Sequence, residues 1–150
     1  MPNMKTWMWL VLPIALGANC VVSTKASAAS AQAQTSCPSQ NFETFLTAFM
    51  DSAQVQKAHT SSPLESTSVD PNAEPEPAPV TTQLDGAALK FPVMPTSKKQ
   101  KADGLVRRIS KLADGGMEVM LVKPDTDYQL SFSFRKQSCW QLYKMQDDSL

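Results

Sequence analysis

The sequence has little material for metal or redox chemistry. It holds 150 residues with one histidine and three cysteines, and no two cysteines are spaced as Cys-x-x-Cys. A tetrahedral zinc site draws on about four such ligands at short spacings. The sequence also lacks a glycine-rich phosphate-binding loop and the Gly-x-Ser-x-Gly turn of serine hydrolases. We therefore predict no metal and no cofactor.

An excess of charge of one sign is also missing. The 14 Lys and Arg residues balance 14 Asp and Glu residues, so the formal net charge is zero. Nucleic-acid-binding domains carry a clustered basic excess, which argues against a nucleic-acid partner. A hydrophobic content of 42% fits a folded chain rather than a disordered one, and the length fits one domain.

The N-terminus has the three parts of a secretory signal peptide, which we assign to residues 1–28. Lys5 precedes an apolar run that extends from Trp7 to about Leu16, and an Ala-x-Ala signal ends at Ala28. A transmembrane helix needs about 20 apolar residues, so the run is too short for one. The sequence therefore predicts export, to the periplasm or the medium.

Three processing sites remain open. Signal peptidase can cut after Ala28, which leaves a flexible N-terminus over residues 29–36, or it can cut after Ala33. In the alternative, Cys20 is the acylated cysteine of a membrane-anchored lipoprotein, although Asn19 occupies the position where a lipoprotein signal has a small residue.

Export makes the remaining cysteines interpretable. Removal of residues 1–28 leaves Cys37 and Cys139, an even number in an oxidising compartment. We predict that they form a disulfide between the start of the domain and its last strand.

Residues 41–57 have the spacing of an amphipathic helix. Five apolar residues recur at intervals of three and four: Phe42, Phe45, Leu46, Phe49 and Met50. Asp51-Ser52 is a candidate break, with a second short helix ending near His59. The shared stripe predicts core packing rather than a ligand site.

Residues 61–88 contain five prolines and five acidic residues, with no Lys or Arg. Proline removes backbone donors and acids resist burial, so we predict a disordered loop at about 68–84. A short strand is expected over Ala88–Val93, followed by a polar connection over 96–103.

Four candidate strands fill the C-terminal part, over 105–112, 117–122, 128–135 and 139–145. In the third, Tyr128, Leu130, Phe132 and Phe134 alternate with polar residues, as in a half-buried strand. The segment 105–112 also fits helical spacing, and the Asp114-Gly115 turn favours a strand. The order predicts a single α+β domain over 37–150, with N-terminal helices packed on a curved antiparallel sheet.

A basic block follows the acidic segment. Residues 90–111 carry seven cations against one acid, Asp103. We name its candidate partner-binding residues as Lys98, Lys99, Lys101, Arg107, Arg108 and Lys111. Such a block suits an acidic protein surface or anionic ligand, and the alternative is a solvated strand edge protected by its charges.

The order of packing residues resembles that of small exported bacterial proteins with an NTF2-like, cone-shaped α+β domain. The resemblance rests on Cys37 before the phenylalanine stripe, Phe91-Pro92-Val93, and the closing Cys139-Trp140-x-Leu142. It covers about residues 37–150 and implies the fold. It carries no catalytic residue onto this chain.

Three hypotheses of function follow. The first is a non-enzymatic module that binds a small molecule or a protein, including an inhibitor or immunity-type protein. The second is a small enzyme with a pocket in the cone, using Asp51, His59 or Tyr128. A lipid-anchored envelope protein acylated at Cys20 is the third hypothesis. A cone filled by aromatic side chains would argue against the enzyme.

Overall fold

A computed structural model describes residues 36–150 of the chain. Helix α1 spans Phe42–Asp51, α2 spans Ala53–Ala58 and α3 spans Ser97–Ala102. The strands are β1 Thr60–Asp70, β2 Ala78–Leu84, β3 Val106–Lys111, β4 Met117–Val122, β5 Gln129–Lys136 and β6 Trp140–Asp147. The predicted signal peptide and Cys20 lie outside the described residues, as does the N-terminal segment 29–36 except for Ser36.

The six strands form one curved sheet in the order β2-β1-β6-β5-β4-β3. Strand β1 runs parallel to β6, and the other four neighbouring pairs are antiparallel. The α+β prediction is confirmed, but the sheet is mixed rather than wholly antiparallel. The difference arises because β1 follows α2 directly and enters the sheet alongside β6, where Thr60 lies opposite Leu142.

Two helix caps explain the predicted break between α1 and α2. The Asn41 side chain accepts a hydrogen bond from the Thr44 backbone N–H at 3.1 Å and starts α1. Ser52 has extended backbone geometry and accepts from the Val55 N–H at 3.3 Å, which starts α2. The helical interpretation of residues 41–59 is therefore confirmed, with the break at Ser52.

The phenylalanine stripe of α1 packs on one face of the sheet, which we call the inner face. The Phe134 ring of β5 meets Phe42 at 5.4 Å and Phe49 at 5.2 Å between ring centroids, in edge-to-face geometry. The other buried members of this core include Phe45, Leu64, Met94, Val119, Leu121, Phe132, Trp140 and Leu142. The stripe is core, as its spacing predicts.

The prediction of a disordered loop at about 68–84 is wrong. Strands β1 and β2 form a hairpin through this region, with Asp70 opposite Ala78. The prolines occupy positions that a strand tolerates. Pro63 lies in an irregular part of β1, where the register with β6 shifts between Thr60 and Glu65. Pro79 lies in β2, which is an edge strand, and the remaining prolines lie in the turn.

The expected strand over Ala88–Val93 and the polar connection over 96–103 are also wrong. A 3-10 turn at Gly86–Ala88 precedes irregular chain, and Ser97–Ala102 is helical. The backbone N–H groups of Val93 and Met94 donate to the fully buried Gln56 Oε1 at 2.7 and 3.0 Å, and Gln56 Nε2 donates to the Met94 carbonyl at 2.9 Å. The Gln56 side chain therefore supplies the hydrogen bonds that a neighbouring strand would otherwise give to Val93 and Met94.

The remaining four strands are confirmed within one or two residues of their predicted bounds. Residues 106–111 form a strand rather than a helix, and Arg107, Ile109 and Lys111 lie opposite Leu121, Val119 and Met117 of β4. Gly115 closes the connecting turn with a φ of 84°, a conformation that suits glycine.

The predicted disulfide between Cys37 and Cys139 is present, with Cα atoms 5.5 Å apart. Gln40 reinforces it: its Nε2 donates to the Ser138 carbonyl at 2.8 Å, and its own carbonyl accepts from Trp140 Nε1 at 3.1 Å. The start of α1 is thereby fixed to the turn between β5 and β6.

We expect the double variant Cys37→Ser/Cys139→Ser to lose about 2–5 kcal/mol of unfolding free energy, because the disulfide closes a loop of 102 residues in the unfolded chain. Urea unfolding of the variant and of the reduced parent protein measures the loss. The two should agree, and an unchanged midpoint in both would contradict the prediction.

Candidate functional site

The inner face of the sheet divides into a filled part and a partly open part. The filled part lies under α1, where Phe45, Phe49, Phe132 and Phe134 have no exposed surface. No charged side chain is among the buried residues of this region. Aromatic side chains therefore fill the interior under α1.

The partly open part lies where β5 begins and β6 ends. Met145 lies opposite Phe132, and Leu130 precedes Phe132 by two residues on β5, so both are on the inner face. Both are only partly buried against the core. Tyr128 precedes Leu130 by two residues and shares its face. We call this region the Tyr128 site; its residues are Tyr128, Leu130, Met145, Asp147, Lys99 and Asp103.

Three charged groups lie near enough to the tyrosine to act on its pKa. Partial burial raises the pKa of Tyr128, Asp147 and Asp103 raise it further, and Lys99 lowers it. Lys99 forms an ion pair with Asp103 at 2.8 Å across one turn at the end of α3, and this hydrogen bond raises the pKa of Lys99. The phenol and the ammonium therefore both keep their protons at neutral pH.

The sequence named Tyr128 as a catalytic candidate and Lys99 as a partner-binding candidate, but it did not bring the two together and did not indicate Asp147. Asp147 reaches the site because β6 pairs with β5 so that Asp147 lies opposite Leu130. Lys99 lies in α3 and Asp103 caps its end, in a segment for which the sequence predicts only a polar connection. The four-residue spacing of Lys99 and Asp103 could have indicated the helix, since oppositely charged residues at this spacing face each other on a helix.

The other two candidate catalytic residues lie elsewhere. Both carboxylate oxygens of Asp51 accept hydrogen bonds from Ser97, from its N–H at 2.9 Å and its hydroxyl at 3.1 Å, so Asp51 holds the start of α3. His59 is buried, and its ring packs edge-on against Phe45 at 5.5 Å.

His59 is also distant from Tyr128 along the sheet. The His59 carbonyl bonds to the Leu142 N–H, five residues before Asp147 on β6. Five strand residues span roughly 16 Å. Asp51, His59 and Tyr128 therefore do not form one catalytic group.

The basic block occupies α3 and the adjoining edge strand β3. Arg107 donates to Gln100 Oε1 at 3.2 Å and is exposed, as are Lys98, Lys101, Arg108 and Lys111. Strand alternation directs Arg107 and Lys111 to the inner face and Arg108 to the opposite face. The six cations are thus distributed over two faces and a helix rather than gathered on one surface.

Within residues 36–150, no three His, Cys, Asp or Glu side chains converge as ligands of a metal ion. None of the helices in the same range is long and apolar enough to cross a membrane.

A comparison with solved structures identifies the fold. The chain is similar to an NTF2-like protein from Bacteroides fragilis, with a TM-score of 0.50 and 19% sequence identity. The match covers 73% of this chain and 47% of that protein, so the chain spans about half of its length. Comparisons with protein-family models and with curated proteins give no match. The expected NTF2-like fold is confirmed, and at this identity the likeness concerns the fold alone.

Burial of His59 predicts a pH effect on stability. Burial lowers the pKa of His59 below its ordinary value of 6.5, and its Nε2 atom has no hydrogen-bond partner. As the pH falls, the unfolded chain therefore binds a proton at His59 before the folded chain does. The stability that the neutral His59 contributes is complete above pH 6.5 and is lost as the pH falls towards the lower pKa of the folded chain.

We expect His59→Phe to remove this slope between pH 7 and about 5.5, because phenylalanine packs in the same place without a titrating group. Urea unfolding of parent and variant across that range measures it. A parent and a variant with parallel stability profiles would contradict the role of His59.

Proposed function

We propose that this protein is an exported, non-enzymatic binding module that takes its ligand at the Tyr128 site. The observation that carries the proposal is the partly exposed apolar surface of Leu130 and Met145, bordered by the tyrosine and three charged groups. Ligand sites typically combine an apolar floor with a few convergent polar groups. The ligand class is a small amphipathic molecule or an apolar side chain of a partner protein.

The filled interior supports this location. Phenylalanine rings occupy the inner face under α1, so the apolar surface available to a ligand lies beyond them, towards Met145. Because side chains fill this interior, a ligand has room only at the edge of the core. An inhibitor or immunity-type protein is the form of this proposal in which the ligand is another protein.

The electrostatics suit hydrogen-bond donation to a ligand. The pKa values of Tyr128 and Lys99 are both raised, so both groups keep the protons that they would donate. The phenol serves as a hydrogen-bond donor, and the ion pair of Lys99 with Asp103 orients the polar end of a ligand. His59 and Asp51 contribute to packing and to the start of α3.

The disulfide supports export, since persistent disulfides are typical of oxidising compartments. For the protein recovered from its host, we expect an intact mass that corresponds to an N-terminus at Ala29. A mass that begins with acylated Cys20 would instead establish the lipoprotein. A mass that retains residues 1–28 would contradict export.

Binding at the Tyr128 site is tested by two methionines on opposite faces of the sheet. We expect small amphipathic fragments to shift the methyl NMR signal of Met145 and to leave that of Met120 unchanged. Met120 is a matched control because it is also half-buried but lies opposite Ser131, on the outer face.

The variants Met145→Lys and Met120→Lys complete this test. The first should weaken fragment binding about tenfold or more, since a charge then lies on the apolar floor, and the second should leave binding unchanged. Fragments that shift Met120 preferentially, or that bind both variants equally well, would contradict the assignment.

A further inference from the structure

The two edge strands of the sheet differ sharply in charge. Strand β3 carries Arg107, Arg108 and Lys111 among six residues, whereas β2, with the sequence APVTTQL, carries no charged residue. Charged side chains on an edge strand prevent it from pairing with another chain. The β3 edge has that protection and the β2 edge lacks it.

The uncharged edge is also accessible. The five residues from Pro79 to Gln83 are all exposed, and Val80 retains 45% of its surface. Strand β1 pairs with one side of β2, and no other strand of residues 36–150 pairs with its outer side. The backbone groups on that side are available to a further strand.

We propose that β2 pairs antiparallel with β2 of a second copy of this chain, centred on Thr81. A two-fold axis brings a strand against itself, so a strand whose charges all have one sign meets that same sign in its partner. The cationic β3 strand would suffer this repulsion, and the neutral β2 strand avoids it. The second copy is therefore the occupant that the charge pattern fits.

The position of Pro79 fixes the register. Proline has no N–H, and in an edge strand its position is tolerated where the missing donor would have pointed to solvent. Backbone direction alternates along a strand, so residues 79, 81 and 83 direct their backbone groups to the outer side. The outer side thus offers two N–H donors and three carbonyl acceptors.

Pairing centred on Thr81 uses these groups and does not require the N–H that Pro79 lacks. Thr81 lies opposite Thr81 of the partner, where the two residues exchange both backbone hydrogen bonds. The Gln83 N–H lies opposite the partner's Pro79 carbonyl, and the symmetric bond forms on the other side of the axis. Two threonines at the axis are also a favourable cross-strand pair.

Cysteine cross-linking tests the register. At the axis, the two Thr81 Cα atoms should lie about 5.5 Å apart, within the range that a disulfide spans, whereas Thr82 faces Val80 and its two copies lie beyond about 7 Å. Under mild oxidation, we expect Thr81→Cys to give a covalent dimer and Thr82→Cys to give none beyond that of the parent chain. Non-reducing electrophoresis measures the amount of covalent dimer that each variant forms.

Sedimentation of the parent chain tests the pairing itself, and we expect twice the monomer mass at high concentration. Val80→Glu should weaken self-association about tenfold or more, because like charges then approach across the axis. Mixing Val80→Glu with Thr82→Lys should restore a one-to-one dimer, since these positions face each other. Ile109→Glu, at a similarly exposed position of β3, should leave the dimer intact.

Three results would overturn the proposal. The first is a parent chain that stays monomeric at every concentration. The second is equal cross-linking of Thr81→Cys and Thr82→Cys. The third is dissociation of the dimer by Ile109→Glu as readily as by Val80→Glu.

Discussion

The contact between Phe134 and the phenylalanines of α1 is the interaction on which the rest of the structure depends. One ring from the centre of the sheet meets three rings from successive turns of one helix, at 5.2, 5.4 and 6.1 Å. Loss of such a buried ring typically costs about 3–5 kcal/mol. The contact sets the position of α1, and α1 in turn sets α2 through Ser52 and α3 through Asp51.

This use of the interior also decides where function can lie. Apolar side chains that fill the inner face under α1 gain stability from burial, but they leave no room there for a ligand. Beyond α1 the apolar residues Leu130 and Met145 of the inner face are only partly buried, and Tyr128 lies next to Leu130 on that face. The candidate site is thus the boundary between the part of the sheet that α1 covers and the part that it leaves open.

Sequence patterns predicted the parts of the fold that repeat. The alternation from Tyr128 to Phe134 and the stripe from Phe42 to Met50 each contain enough periods to identify an element and its buried face. The β1–β2 hairpin was missed because its prolines occupy a bulge, an edge and a turn, which are properties of the sheet and not of the segment. The sequence named Tyr128 and Lys99 but could not join them into one site, because Lys99, Asp103 and Asp147 come near Tyr128 only through the strand register and a capped short helix.

The disulfide has a mechanical consequence. A pulling force applied at residue 36 would pass at once through Cys37 and Cys139 into the strand pair β5–β6, at the middle of the sheet. The 102-residue loop that the disulfide closes contains all three helices and five of the six strands. Helix α1 would therefore carry no tension, and a tether at the N-terminus could be pulled without drawing the phenylalanine stripe off the sheet.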